Sequence, residues 1–138
     1  MSNPAMEQAM YSAHAYVKEY KDTRLEGAIE GASPHRLVGL LLRGARERIQ
    51  TAVALLEQGD IARKGAYISA AFNIVDSLRS SLDHQAGGEI ADGLESIYDY
   101  VGRRLVEAHA QNDASKMKEA DRLLGEIEAA WLAIPAAG

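Results

Sequence analysis

Residues 33–60 read SPHRLVGLLLRGARERIQTAVALLEQGD, and this stretch decides the fold. Its apolar side chains recur every three or four positions: Leu37, Val38, Leu41, Ala45, Ile49, Ala52, Val53 and Leu56. At 3.6 residues per turn these positions share one broad face, the pattern of an amphipathic helix. Ser33 is an N-cap, Pro34 occupies N1 where its missing N–H costs nothing, and Gly59 suits a left-handed helix stop. Asp60 is placed to cap a second helix.

That second helix is expected from Ile61 to about Leu82. It carries one stripe of Ile61, Gly65, Ile68, Phe72, Val75 and Leu82, and a neighbouring one of Tyr67, Ala71, Ile74 and Leu78. Apolar surface this wide implies burial on two sides, or one side offered to a partner. Residues 83–88, DHQAGG, read as a turn. A third helix follows from about Glu89 to Gln111, with Ile90, Leu94, Ile97, Val101, Leu105 and Ala108 as its core stripe. Asn112-Asp113 is a stop-and-start signal, and a fourth helix runs from Ala114 to about Ala133 before Pro135. Its stripe is Met117, Ala120, Leu124, Ile127, Trp131 and Ile134.

Upstream, residues 5–20 place Met6, Met10, Ala13, Tyr16, Val17 and Tyr20 along one face, and residues 21–32 are a polar, glycine-interrupted connector. Four long helices joined by short loops run antiparallel to their neighbours. The expected fold is all-α: an antiparallel up-down-up-down four-helix bundle over residues 33–138, with an extra N-terminal helical segment and connector in residues 1–32.

The 138 residues suit one domain, and 47% apolar with 25% charged is an ordinary globular balance. A net charge of −5 argues against a nucleic-acid binder, which needs a basic stripe. No cysteine is present, which fits a reducing compartment. The first residues lack a basic stretch followed by an apolar run, and no apolar run reaches the roughly 20 residues that span a bilayer. The expectation is a cytoplasmic protein without membrane insertion.

Catalytic and metal motifs are missing. No acidic residue stands three before a histidine, as di-iron bundles require. His14, His35, His84 and His109 fall on separate elements; Asp83, His84 and Glu89 crowd one turn, but solvated loop residues explain them. GDIARKG has the wrong order for a phosphate loop and no strand before it. The expectation is a protein with no enzymatic activity, no cofactor and no metal.

The tyrosines carry more. Tyr98 flanks the core stripe of the third helix, whereas Tyr100 lies about 200° around from it. One can serve the core; the other is free to anchor a partner, since tyrosine gives large contact area at low entropy cost. The expected client-binding groove is lined by Tyr67, Ala71, Ile74 and Leu78, with Tyr98, Tyr100 and Leu105 opposite, and with Gly65 and Gly102 admitting a client backbone. The face bearing Met6, Met10, Tyr16 and Tyr20 is a candidate cap for that groove.

Two resemblances bear on function. Residues 35–39, HRLVG, resemble the H-x-L-K-G box of histidine phosphotransfer bundles, though Val38 replaces the lysine and His35 stands in the first turn. This is the alternative reading, with His35 as phosphoacceptor. More extensive is the ordered series ASPHRLV, QGDIARKGAYISAAFNIVDSLRSSLD, GGEIADGLESIYDYVGRRLVEAHAQND and LLGEIEAAWLAI. It resembles the flagellar secretion chaperone family, FliS, over about Tyr16 to Ile134. That resemblance implies a cytoplasmic helical bundle that binds the disordered C-terminal segment of flagellin. It implies that the chaperone prevents premature polymerisation and aids delivery to the flagellar type III export apparatus. The export gate and a flagellar regulator are further partners it brings into range.

Overall fold

The computed structural model describes residues 33–135, and every regular element among them is helical. The helices are α1 (Pro34–Glu57), α2 (Ile61–Ser80), α3 (His84–Gln111) and α4 (Ala114–Leu132). Each packs on two neighbours, α1 on α2 and α4, α3 on α2 and α4, which is the square of an antiparallel bundle. The Met6, Met10, Tyr16 and Tyr20 face lies outside the described residues.

Local chemistry sets each corner. The Ser33 hydroxyl accepts from Arg36 N–H at 3.2 Å, with Pro34 beginning α1. At its far end Gly59 has φ 82; its N–H reaches Leu56 O at 3.0 Å, and Asp60 N–H reaches Leu55 O at 2.8 Å. These paired bonds form a Schellman stop, closing carbonyls that the helix leaves open. Asp60 turns at once to cap α2, accepting from Arg63 N–H at 3.2 Å. At the last corner Asn112 takes the left-handed conformation in place of a glycine (φ 52, ψ 47). Asp113 then caps α4 through Ser115 and Lys116 N–H.

The expected turn at residues 83–88 is built differently. Asp83 caps a helical turn, accepting from Ala86 N–H at 3.0 Å. The break comes at Gly88, with φ 52 and ψ −130, and the helix proper resumes at Glu89. Such angles favour glycine because a Cβ would be strained there.

The core joins both stripes of α2. Ile68, Ala71, Ile74, Val75 and Leu78 are all buried, so the wide face is sandwiched between α1 and α3 rather than left open. On α3 the expected stripe is corrected by one residue. Ile90 and Ile97 are 55% and 37% exposed, while Ala91 and Tyr98 fill the interior beside Val101, Leu105 and Ala108. With the partly buried Leu94 between Ala91 and Tyr98, the observed seam alternates steps of three and four from Ala91 to Ala108, so it keeps facing the bundle axis. Ile90 and Ile97 stand one residue earlier, about 100° around the helix.

Two polar clusters lock the bundle ends and seams. Trp131 Nε1 donates to His35 O at 2.8 Å and its ring stacks on the His35 imidazole at 5.1 Å, joining the end of α4 to the start of α1. Lys64, only 1% exposed, places its ammonium 3.0 Å from both His109 O and His109 Nδ1 and 2.6 Å from Asn112 Oδ1. Burial pulls its pKa below the usual lysine value. A cation there also complements the partial negative charge at the end of α3.

Candidate binding groove

A groove of 420 Å³ runs between α2 and α3. Phe72 and Val75 from α2, and Tyr98, Gly102 and Val106 from α3, form its apolar lining. Gly102 makes room for the ring opposite: a Cβ there would stand 3.3 Å from Phe72 Cε2. Without that side chain the two helices meet around Phe72 and leave Val106 open, 56% exposed.

Charged side chains border the apolar strip. Asp76 pairs with Arg79 at 2.9 Å along α2, and Asp99 with Arg103 at 3.1 Å along α3. The Asp76 hydrogen bond holds the Arg79 guanidinium above its ordinary pKa. Glu107 closes one end, bonded to Lys116 at 3.0 Å, and that ammonium holds its carboxyl below the usual range. An apolar centre within a polar rim is an anatomy found in protein-binding surfaces.

The sequence-predicted residues separate on this frame. Tyr98 is 1% exposed and its ring lies in the groove lining. Ala71, Ile74, Leu78 and Leu105 belong to the core and are not among the residues that line the α2–α3 groove. Of the two readings of the wide α2 face, burial on two sides is the one observed: α1 and α3 each cover part of it. Tyr67 is half-buried against the core and stands about 140° around α2 from Phe72, away from the α2–α3 groove. Tyr100 faces α4: its hydroxyl donates to Glu119 Oε2 at 2.9 Å and accepts from Arg104 Nε at 2.9 Å. The Arg104 guanidinium also lies 5.3 Å from the Tyr100 ring centre. Tyr98 and Tyr100 thus serve different seams, as their spacing requires.

The glycines also receive new partners. Gly65 faces His109, whose Cε1 would be 2.8 Å from an added Cβ, so its close approach serves α3 and not a client. Val106 escaped the sequence reading. Its signal was Gly102, four residues earlier on the same face.

His35 is 8% exposed with its ring covered by Trp131, whereas a phosphoacceptor must present its nitrogen to a partner protein. Among the described residues no three His, Asp or Glu side chains are grouped to hold a metal ion, and no helix is long and apolar enough to cross a membrane.

Comparison with known proteins places this bundle. The family model described as flagellar protein FliS matches residues 16–138. This chain belongs to the FliS family. The flagellar secretion chaperone FliS of Salmonella typhimurium is 43% identical over 123 residues, covering 88% of this chain and 90% of that protein. FliSB of Pseudomonas aeruginosa, also named a flagellar secretion chaperone, is 39% identical over 122 residues, covering 88% and 96%. The FliS of Bacillus subtilis is 28% identical over 106 residues, covering 77% and 78%. In this FliS-family chain the matched region contains all four helices and the whole α2–α3 groove.

Proposed function

We propose that this protein is a flagellar secretion chaperone whose client is the C-terminal segment of flagellin. The observation that carries the reading is the family match across the entire bundle. The absence of any catalytic constellation in the sequence agrees with a binding role. The chaperone works in the bacterial cytoplasm, keeps its client from polymerising early and delivers it to the flagellar type III export apparatus. Export-gate components and a flagellar regulator are the further partners of this reading.

The α2–α3 groove supplies the physical basis. A disordered client that folds on binding must offset its ordering entropy with buried apolar area. An amphipathic client helix would set an aliphatic side chain against Phe72, Val75, Tyr98 and Val106, with its polar flanks toward Asp76, Arg79, Asp99 and Arg103. Residues 1–32, through Met6, Met10, Tyr16 and Tyr20, act in this reading as a displaceable cap.

Calorimetric titration with the C-terminal peptide of the organism's own flagellin tests the function and the site separately. Val106→Asp puts a charge on an exposed position and leaves the core intact. It should weaken binding at least about tenfold, the loss of roughly 1.4 kcal/mol. Ile90→Asp, exposed elsewhere on α3, should bind as wild type. No binding by wild type refutes the client; equal binding by Val106→Asp refutes the groove. Removal of residues 2–20 should tighten binding if they are a cap, and weaker binding by a folded variant refutes that role.

A further inference from the structure

The corner between α2 and α3 holds a device that the binding role does not use. The first turn of α3, residues 84–87, is set off from the rest of the helix by the backbone break at Gly88. A side chain crosses that break. His84 Nδ1 lies 2.7 Å from Asp92 Oδ1, and His84 Nε2 lies 3.6 Å from Glu95 Oε1, both beyond the glycine. Each ring nitrogen therefore faces a carboxylate.

A neutral imidazole carries one N–H, so it can donate to only one of these oxygens. Its other nitrogen then turns a lone pair toward the second carboxylate. The imidazolium carries two N–H groups, so it can donate to Asp92 and still turn a positive N–H edge toward Glu95. Asp83 accepts from Ala86 N–H in the same turn. On α2, Arg79 approaches Glu95 only to 4.0 Å and is bonded to Asp76 at 2.9 Å. Asp99, one turn further along α3, is paired with Arg103.

We propose that His84 is a proton-operated latch across the Gly88 break: its imidazolium ties the corner turn to both of these α3 carboxylates, and loss of the proton loosens that tie to at most one neutral hydrogen bond. The Asp92 hydrogen bond, aided by Glu95, raises the His84 pKa above the ordinary histidine value. A raised folded pKa fixes the direction. The latch contributes fully below the unfolded value of about 6.5 and is lost as pH rises through the folded value. Arg79 borders the binding groove as well as Glu95, so the latch adjoins one end of that groove.

Two measurements on the full chain test the latch, neither needing a client. Imidazole NMR should give His84 a midpoint above about 6.5, lowered by Asp92→Asn and lowered further by adding Glu95→Gln. Amide-exchange protection factors for residues 85–89, which correct for the intrinsic pH dependence, should fall about two- to fivefold between pH 5.5 and pH 8.5. In His84→Gln, which cannot titrate, they should be equal at both pH values. An unchanged His84 midpoint in Asp92→Asn overturns the proposal. So do wild-type protection factors that are the same at both pH values, or that fall equally in His84→Gln.

Discussion

Replacing Gly125 with alanine tests the α1–α4 seam through the sign of its effect. In the middle of a helix this exchange ordinarily stabilises by about 1 kcal/mol, because glycine carries the larger entropy cost. Here the new Cβ would lie 3.0 Å from Arg46 Cζ, 3.1 Å from Nη2 and 3.2 Å from Nη1. Comfortable contacts begin near 3.5 Å, so the whole guanidinium must retreat by about half an ångström. It is held on both sides, with Nε 2.8 Å from Asp121 Oδ1 and Nη1 2.7 Å from Glu128 Oε1. Glu128 is 4% exposed and cannot recover its loss from water. A charged hydrogen bond contributes about 1.5–3 kcal/mol, and stretching two of them should cost about 2–3 kcal/mol. The helix gain offsets part of this, leaving Gly125→Ala less stable by about 1–2 kcal/mol in urea unfolding followed by circular dichroism. In an Arg46→Ala background the clash is gone, and the same exchange should stabilise by about 1 kcal/mol. Stabilisation of the wild-type protein by Gly125→Ala would refute the claim that the glycine exists to seat this arginine.

Two more outcomes follow from the corners. Lys64→Met leaves His109 O and the Asn112 amide oxygen without their ammonium; it should destabilise by about 1–3 kcal/mol and speed amide exchange over residues 108–112. Asp113 has its carboxyl pKa depressed, chiefly by the Ser115 hydroxyl bond. Its contribution is present above the unfolded value of about 3.9 and is lost as pH falls through the lower folded value. Asp113→Asn retains a capping oxygen but cannot titrate, so urea midpoints measured from pH 5 to pH 2 should fall less steeply than in wild type.

The corners were legible in the sequence because capping is local. Ser33-Pro34, Gly59-Asp60 and Asn112-Asp113 each contain both the residue that ends or starts a helix and the neighbour that binds it. Helix faces were less legible. Ile90 with Ile97 and Ala91 with Tyr98 both repeat every seven residues, and their choice depends on what stands opposite. The Phe72 ring seated against Gly102 belongs to that opposing surface, thirty residues away in the chain. Lys64 shows the same limit: a lysine beside Arg63 reads as solvated, yet its acceptors come from His109 and Asn112. In the candidate site, the spacing of Tyr98 and Tyr100 was enough to send them to different seams. Apolar width alone does not distinguish a covered face from an open one, and Ala71, Ile74, Leu78 and Leu105 stand on a covered one.

The four seams differ in what holds them. α4 is pinned to α1 by Arg43 and Arg46 on Glu128, Arg46 on Asp121, and Lys118 near Glu57. It is pinned to α3 by Arg104 on Glu119 and Lys116 on Glu107. α2 is buried among apolar side chains on both flanks and is tied to α3 by the buried Lys64 cluster, with Arg79 4.0 Å from Glu95 as an exposed ion pair. Added salt weakens partly exposed ion pairs, since the screening length falls from about 10 Å at 0.1 M to about 3 Å at 1 M, while apolar burial is unaffected or strengthened. The bundle is therefore mechanically uneven. Rising ionic strength weakens the ion pairs that supplement the apolar burial of α4, while the apolar contact of α1 with α2 is left intact, so α4 is the helix whose hold depends most on the surrounding electrolyte.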